Sequence, residues 1–95
     1  MIEFHQLALA ELRDAQRWYR TKSRETAERF LTRVDQAIER LVADPESLPL
    51  IGRDNRSIRV PRFPYLLVYR IQPNGPFVVA VAHTSRRRGY WSRRK

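Results

Sequence analysis

The sequence predicts an α+β fold in which two helices cover one face of an antiparallel sheet. Two segments with apolar residues at helical spacing come first, and three strand-like segments rich in Val, Ile and Tyr follow them. With a short strand before the helices, the predicted order is β-α-α-β-β-β, followed by a basic C-terminal tail. A chain of 95 residues has room for one core, so residues 1–95 are predicted to form a single domain.

The N-terminal half contains the short strand and the two helices. "MIEFH" alternates in hydropathy, and from Gln6 the apolar positions follow a helical stripe formed by Ala8, Leu12, Ala15 and Tyr19. Ser23 is the predicted N-cap of the second helix, and Glu25 lies in its first turn, where the helix dipole favours an acid. That helix is predicted to reach "DPESLP" along Ala27, Phe30, Leu31, Val34, Ile38, Leu41 and Val42.

The three later strands are predicted at "SIRVPRF" (57–63), "YLLVYRI" (65–71) and "FVVAVAH" (77–83). The prolines near "FPY" indicate a bend or bulge, and Asn74-Gly75 is typical of a hairpin turn. Residues 44–56 are predicted to be a loop. One face of the middle strand carries Tyr65, Leu67, Tyr69 and Ile71. If that face packs against the helices, Arg70 points outward from the sheet.

Positive charge is concentrated in the C-terminal part of the chain. Residues 1–55 hold 9 basic and all 10 acidic residues, whereas residues 56–95 hold 10 basic residues and no acid. Almost all of these bases are arginine, whose planar guanidinium suits phosphate and carboxylate groups. A solvated face normally mixes both signs, so this asymmetry predicts an anionic partner, either nucleic acid or an acidic protein segment.

Several kinds of site and location are not supported. The chain has no cysteine, two isolated histidines and three glycines outside any phosphate-binding motif, so we expect no metal site and no cofactor. No segment has the pattern of a signal peptide or the roughly 18 apolar residues that a membrane span needs. The sequence therefore predicts a cytoplasmic protein without a membrane partner.

The segment "IRVPRFPYLLVYRI", followed by a turn and "FVVAVAHTSRRRGYW", resembles the RelE/ParE superfamily of toxins from type II toxin–antitoxin modules. This superfamily includes the toxins described as plasmid-stabilisation proteins. The resemblance covers the whole chain, and the basic tail is its most specific part. It implies the fold predicted above, a growth-inhibiting activity and a cognate antitoxin that binds through an acidic or amphipathic segment in a hetero-oligomer.

Three functions are compatible with these patterns. The favoured one is a ParE-like inhibitor of DNA gyrase, which requires a binding surface and no chemistry. The alternative is a RelE-like endonuclease that cuts messenger RNA on the ribosome. That branch has a cation directly after the aromatic residue that opens the third strand, and here the position is Leu66. The third is a basic nucleic-acid-binding module without toxicity.

The candidate site residues lie on the later strands and in the tail. We predict target binding by Arg59, Arg62, Arg70, Arg86, Arg87, Arg88, Tyr90 and Trp91. If the protein is a nuclease, the resemblance makes Arg59, Arg86 and Tyr90 the catalytic candidates. His83 is a further candidate, because histidine can donate a proton or bind phosphate near neutral pH.

Structural interpretations of the same residues are also open. His83 is favoured as a strand-end hydrogen-bonding residue, and Trp91 is favoured as an anchor that pins the tail to the sheet. Tyr90 fits either stacking on a base or packing against the sheet. Trp18 and Tyr19 are assigned to the core or to antitoxin contact. The arginines of residues 56–95 could instead pair with helix acids such as Asp35 and Glu39.

Overall fold

The computed structural model describes residues 2–95 and contains two helices and one five-stranded sheet. The elements are β1 (Glu3–Phe4), α1 (Gln6–Lys22), α2 (Arg24–Ala43), β2 (Leu50–Ile51), β3 (Asn55–Arg59), β4 (Tyr65–Gln72) and β5 (Gly75–His83). The strand order is β1-β5-β4-β3-β2. β1 runs parallel to β5, and all other neighbours are antiparallel. The predicted α+β fold is confirmed, with one strand more than expected.

Side chains next to the helix ends fix where both helices begin. The Nδ1 atom of His5 accepts the backbone N–H of Leu7 at 3.0 Å and caps α1. Ser23 has an extended backbone that ends α1, and its Oγ accepts the N–H of Thr26 at 2.9 Å to cap α2. The predicted N-cap at Ser23 is confirmed, and one residue therefore sets the sharp turn of the helical hairpin.

The main core lies between the helices and one face of the sheet. Phe30 and Leu41 of α2 are fully buried there, beside Tyr19 of α1. The sheet contributes Tyr65, Leu67 and Tyr69 from one face of β4, so the structure decides which of the two faces meets the helices. Ile71, which was assigned to the same face, is 42% exposed near the end of the strand.

A second apolar cluster covers the opposite face of the sheet. Trp91 from the C-terminal tail is 4% exposed and belongs to a cluster with Ile51, Val68, Val79, Ala80 and Ala82. The prediction that Trp91 pins the tail is confirmed. Both faces of the sheet are therefore covered, one by the helices and the other by the tail, and this placement is what brings the tail arginines onto the sheet.

Residues 44–56 are not a loop throughout, so that prediction was wrong. Leu50–Ile51 forms β2, which pairs with Asn55 and Arg56 across a three-residue turn. Gly52 in this turn has a φ of 79°, a conformation that a residue with a side chain rarely adopts. A strand of two residues is too short to produce a detectable alternation, and the neighbouring Pro49 and Gly52 are typical of loops.

The reversal between β3 and β4 begins earlier in the chain than the predicted strand boundaries imply. β3 ends at Arg59 rather than at residue 63, because the Val60 N–H already donates to the Tyr65 carbonyl oxygen at 2.9 Å. Arg62 has a positive φ of 69° within the turn. A sharp reversal at the prolines was predicted, but the sheet's register shift lies elsewhere.

The register shift is a bulge in β5. Val68 pairs with Ala80 and Tyr69 pairs with Val78, so Val79 has no partner on β4. As a result, the side-chain alternation of β5 slips by one residue, and both Val79 and Ala80 pack on the outer face. The slip also turns the Val79 carbonyl and the Val81 N–H toward the open edge of β5, away from β4.

Tyr69 ties the segment after α2 to the sheet, and its hydroxyl gives the first testable prediction. The side chain is fully buried, and the hydroxyl donates to the Pro45 carbonyl oxygen. Tyr69→Phe should lower the free energy of unfolding by about 1 kcal/mol, because the partly buried Pro45 carbonyl loses its donor. Urea unfolding followed by circular dichroism measures the change.

Tyr65→Phe is the matched control, because the Tyr65 hydroxyl has no hydrogen-bond partner within residues 2–95. A loss of stability in Tyr65→Phe as large as in Tyr69→Phe would contradict the assignment of the effect to the Pro45 contact.

Candidate functional site

Three arginines meet in a cleft on the outer face of the sheet. Arg59, Arg86 and Arg88 line this space of about 230 Å³. The other lining residues are Leu66, Ala82, His83, Thr84 and Trp91. We call this set of residues the basic cleft. None of them is acidic, so the cleft is positively charged and suited to an anionic group.

Strand geometry explains why these side chains come together. Ile58 points into the main core, so its neighbour Arg59 points to the outer face. Arg59 pairs with Leu66 on β4, and Leu66 pairs with Ala82 on β5, which forms an apolar floor next to the guanidinium. Arg86 follows β5 in a turn closed by its own N–H, which donates to the His83 carbonyl oxygen at 3.0 Å.

A second concavity shares Arg88 and Trp91 with the basic cleft. It measures about 480 Å³ and includes Arg53, Arg70 and Arg88 among its lining residues. Arg70 points to the outer face, as predicted, but it does not lie free there. Its Nη1 donates to the Arg94 carbonyl oxygen at 2.9 Å, and its guanidinium lies 5.2 Å from the centroid of the Phe77 ring. Arg88 and Trp91 border both concavities.

The remaining predicted site residues occupy different places. Arg62 and Arg87 are exposed and do not line the basic cleft. His83 lines it, and its Nδ1 accepts the Ser85 N–H at 3.0 Å, which is the strand-end hydrogen bond that the structural interpretation predicts. The His83 ring also makes an edge contact with Tyr65, with the ring centroids 5.1 Å apart.

Tyr90 does not line the basic cleft, but its ring packs against Arg86, which does. The guanidinium of Arg86 lies 3.9 Å from the centroid of the Tyr90 ring, and that of Arg94 lies 5.1 Å from it. The Tyr90 hydroxyl donates to Glu11 Oε2 at 2.8 Å. Its ring is therefore committed to contacts within the protein.

Glu11 on α1 is the residue that the sequence analysis missed. Its carboxylate receives two parallel hydrogen bonds of 2.9 Å from the guanidinium of Arg94. It also accepts from the Tyr90 hydroxyl and, at 3.0 Å, from the backbone N–H of Val81. Arg86 lies 3.4 Å away, at the outer side of the group. In the sequence, Glu11 is one of several acids on a helix and has no distinguishing pattern.

Glu11 and Arg94 also form hydrogen bonds with backbone groups at the edge of β5. β1 pairs with β5 only at Phe77 and Val78. Beyond that point, Arg94 donates to the Val79 carbonyl oxygen at 3.0 Å, and Glu11 accepts from the Val81 N–H. The bulge at Val79 turns these two groups toward the edge, and an ion pair occupies the place of a neighbouring strand.

Burial and hydrogen bonding act in opposite directions on the pKa of Glu11. The side chain is only 14% exposed, and burial by itself raises its pKa. The hydrogen bonds from Arg94, Tyr90 and the β5 backbone, together with the positive charge of Arg94, outweigh burial and hold the pKa below its usual value. For Tyr90, burial first and then the hydrogen bond to the Glu11 carboxylate raise the pKa.

Most of the C-terminal arginines are not neutralised by the helices. Within residues 2–95, Arg86 and Arg94 form ion pairs with a helix acid, and that acid is Glu11 rather than Asp35 or Glu39. The other helix acids that form ion pairs do so with arginines of their own helix. The alternative that helix acids pair with all of these arginines is therefore wrong.

A groove beside α1 adjoins the basic cleft. It measures about 480 Å³ and contains Asp14, Trp18, Tyr65, His83 and Arg86 among its lining residues. Trp18 is 55% exposed, so it is not a core residue, and its role in antitoxin contact remains a prediction. Tyr19 is 9% exposed and belongs to the main core, as one of the two predictions for it stated.

Neither a membrane segment nor a metal cluster is found within residues 2–95. No helix there is both long and apolar enough to cross a bilayer. No group of three or more potential metal ligands comes together there either.

A two-helix hairpin on a five-stranded sheet, with an arginine-lined outer face, is consistent with the α+β fold that the resemblance to the RelE/ParE superfamily implies. The family model described as the ParE toxin of the type II toxin–antitoxin system parDE matches residues 2–88. The chain belongs to this family and is the toxin component of a type II toxin–antitoxin system, so a cognate antitoxin is its partner. No curated protein matches the chain. Tyr90, Trp91 and Arg94 lie beyond the matched residues.

The lowered pKa of Glu11 predicts a pH-dependent contribution to stability. Glu11→Gln should reduce the free energy of unfolding by about 2–3 kcal/mol at pH 7, because Arg94 loses its charged partner in a mostly buried place. The contribution is complete above the ordinary glutamate pKa of about 4.3 and is lost as the pH falls through the lowered folded-state value. Urea unfolding of both proteins between pH 2 and pH 8 measures the difference.

Asp14→Asn is the control, because Asp14 forms an ion pair with Arg17 in which both side chains are more than 70% exposed. It should change stability by less than about 0.5 kcal/mol at any pH. A stability gap for Glu11→Gln that stays constant down to pH 2 would show that the charge of Glu11 is not its cause.

Proposed function

We propose that this toxin stops growth by binding and inhibiting DNA gyrase through the basic cleft. The observation that carries the proposal is the convergence of Arg59, Arg86 and Arg88 on one face of the sheet without an acidic residue among them. Such a surface can hold an acidic segment of a protein or the phosphates of gyrase-bound DNA. The proposal assigns the main target contacts to these three arginines, with Arg70 beside them and with Arg62 and Arg87 at the periphery.

The contents of the cleft support binding rather than chemistry. Cleavage of RNA through its 2′-hydroxyl uses a base, an acid and cations that hold the phosphate. The cleft has the cations, but its floor is apolar at Leu66, and the Nδ1 of His83 is engaged by Ser85. The Tyr90 hydroxyl is bound to Glu11, and its raised pKa disfavours proton transfer from it near neutral pH.

A ribosome-dependent nuclease is the second candidate. The specific observation in its favour is that Arg59, His83 and Arg86, three of the four predicted catalytic residues, line one cleft. His83 could still exchange a proton through its other ring nitrogen. The two candidates therefore share a surface and differ in whether a bond is broken on it.

We also infer that the antitoxin neutralises the toxin by covering the basic cleft with an acidic segment, in a hetero-oligomer. The positive charge and the absence of acids in the cleft support this inference. The single-domain organisation and the cytoplasmic location remain predictions of the sequence.

The effect of the cleft arginines on growth tests the proposal. The triple variant Arg59→Ala, Arg86→Ala, Arg88→Ala should lose growth inhibition in cells without the antitoxin, because the target loses three guanidinium contacts. The matched control is Arg17→Ala, Arg24→Ala, Arg29→Ala, which removes the same charge from exposed helix positions that form ion pairs. This control should remain toxic.

The purified proteins then distinguish the two targets. The natural chain should inhibit supercoiling by gyrase and leave translated messages intact, and the cleft variant should lose that inhibition. Messages cut on the ribosome by the natural chain, with gyrase unaffected, would establish the nuclease function instead. Equal toxicity of the two triple variants would exclude the basic cleft as the target surface.

Antitoxin binding should depend on salt through the same arginines. Titration of the cognate antitoxin between 50 and 500 mM salt should show affinity falling steeply for the natural chain and less steeply for the cleft variant, because screening acts on fewer ion pairs. Point substitutions are preferable to removing residues 86–95, since that deletion would also remove Trp91 from the core. An identical salt dependence of both proteins would contradict the inferred acidic segment.

A further inference from the structure

We propose that Glu11 is the positioning residue of the basic cleft, although it does not line the cleft itself. Its carboxylate holds the tail segment that carries Arg86, Arg88 and Trp91 against the sheet. The expected effect of Glu11 on gyrase inhibition rests on the function proposed above for the basic cleft. It assigns a role in target binding to a residue of the first helix.

All the contacts of the Glu11 carboxylate go to the tail or to the strand before it. Oε1 accepts from the Val81 N–H at 3.0 Å and from Arg94 at 2.9 Å. Oε2 accepts from the Tyr90 hydroxyl at 2.8 Å and from Arg94 at 2.9 Å. The Glu11 side chain therefore holds the tail at two residues, Tyr90 and Arg94, and connects both to α1 and to the last strand.

The position of Arg86 depends on the same group. Its Nη1 lies 3.4 Å from Glu11 Oε2, and its guanidinium lies 3.9 Å from the centroid of the Tyr90 ring. That ring is itself fixed by the hydroxyl bond to Glu11. The Arg86 side chain is 56% exposed, so these two contacts, rather than burial, restrict an otherwise flexible guanidinium.

Arg88 and Trp91 depend on Glu11 through the tail backbone. Both lie in the turns between His83, the last residue of β5, and Arg94, whose guanidinium donates to the Val79 carbonyl oxygen at the edge of β5. If the bonds from Glu11 to Arg94 and Tyr90 are lost, the burial of Trp91 and the Arg70 bond to the Arg94 carbonyl oxygen remain as the attachments of the tail. Trp91 lines both concavities, so its movement would change the shape of both.

A glutamine cannot take over these contacts. The amide has one acceptor oxygen and a donor NH₂ group, whereas the carboxylate here faces donors from Arg94, Tyr90, Arg86 and the backbone. Glu11→Gln is therefore nearly isosteric and removes both the charge and half of the acceptor capacity. Asp14→Asn makes the same chemical change one turn away, at an exposed ion pair.

The chain allows tail docking to be observed directly, because it contains two tryptophans, Trp18 and Trp91. Trp18→Phe leaves Trp91 as the only tryptophan, and excitation at the long-wavelength edge of protein absorption selects it over the four tyrosines. In that background Trp91 should have a blue-shifted emission that acrylamide quenches poorly, since the side chain is 4% exposed. The readout reports the tail and does not depend on any assay of function.

The experiment combines this readout with inhibition of gyrase supercoiling. Glu11→Gln is made in the Trp18→Phe background for fluorescence and in the natural chain for inhibition, and Asp14→Asn is made in both. For Glu11→Gln we expect red-shifted, readily quenched Trp91 emission and about tenfold weaker inhibition, because Arg86 loses a hydrogen bond to a charged group. Asp14→Asn should change neither. Circular dichroism confirms that the helices are retained.

Each other result has one meaning. Unchanged Trp91 emission in a folded Glu11→Gln protein would overturn the positioning role and leave the function of the cleft untouched. An exposed Trp91 with undiminished inhibition would show instead that gyrase does not use the cleft. If Glu11→Gln does not fold, Tyr90→Phe removes one bond to Glu11 and keeps the ring. Tyr90→Phe should shift the Trp91 emission and weaken gyrase inhibition in the same direction as expected for Glu11→Gln, by a smaller amount. If both the emission and the inhibition stay unchanged, the proposal is overturned.

Discussion

The ion pair between Glu11 and Arg94 at the edge of β5 is the contact on which the rest of the structure depends. β1 covers only the first part of this edge, and the bulge at Val79 turns backbone groups outward beyond it. Unpaired backbone groups in a buried place cost free energy, and an open strand edge invites pairing with another chain. The ion pair satisfies one carbonyl and one amide, and it connects the first helix to the end of the tail.

This attachment decides where the positive charge of the chain lies. The tail crosses the outer face of the sheet and is held there by Trp91. As a result, Arg86 and Arg88 from the tail reach the same place as Arg59 from β3. A ParE-family toxin thereby gains a cationic surface on the face opposite its helices. A target or an antitoxin that approaches this face meets guanidinium groups on a fixed framework, which reduces the entropy lost on binding.

The sequence predicted the features that follow from local patterns. Helical spacing located both helices, and the capping chemistry of Ser23 located their junction. Alternation on β4 separated its two faces but did not decide which one packs on the helices. The sequence did not predict β2, which is too short to show alternation, or the bulge, which depends on how β5 pairs. Glu11 was missed because its partners Tyr90 and Arg94 are 79 and 83 residues away in the sequence. Contacts of this kind leave no periodic signal in a single chain.

The exchange rate of the Val81 amide hydrogen tests the central claim most directly. This amide donates to Glu11 rather than to a neighbouring strand, and NMR-detected exchange in heavy water reports how often that bond opens. We expect the Val81 amide to exchange as slowly as the amides of β5 that pair with β4, and to exchange much faster in Glu11→Gln. Rapid exchange in the natural chain, or slow exchange that persists in the variant, would show that the Glu11–Arg94 pair does not close this edge.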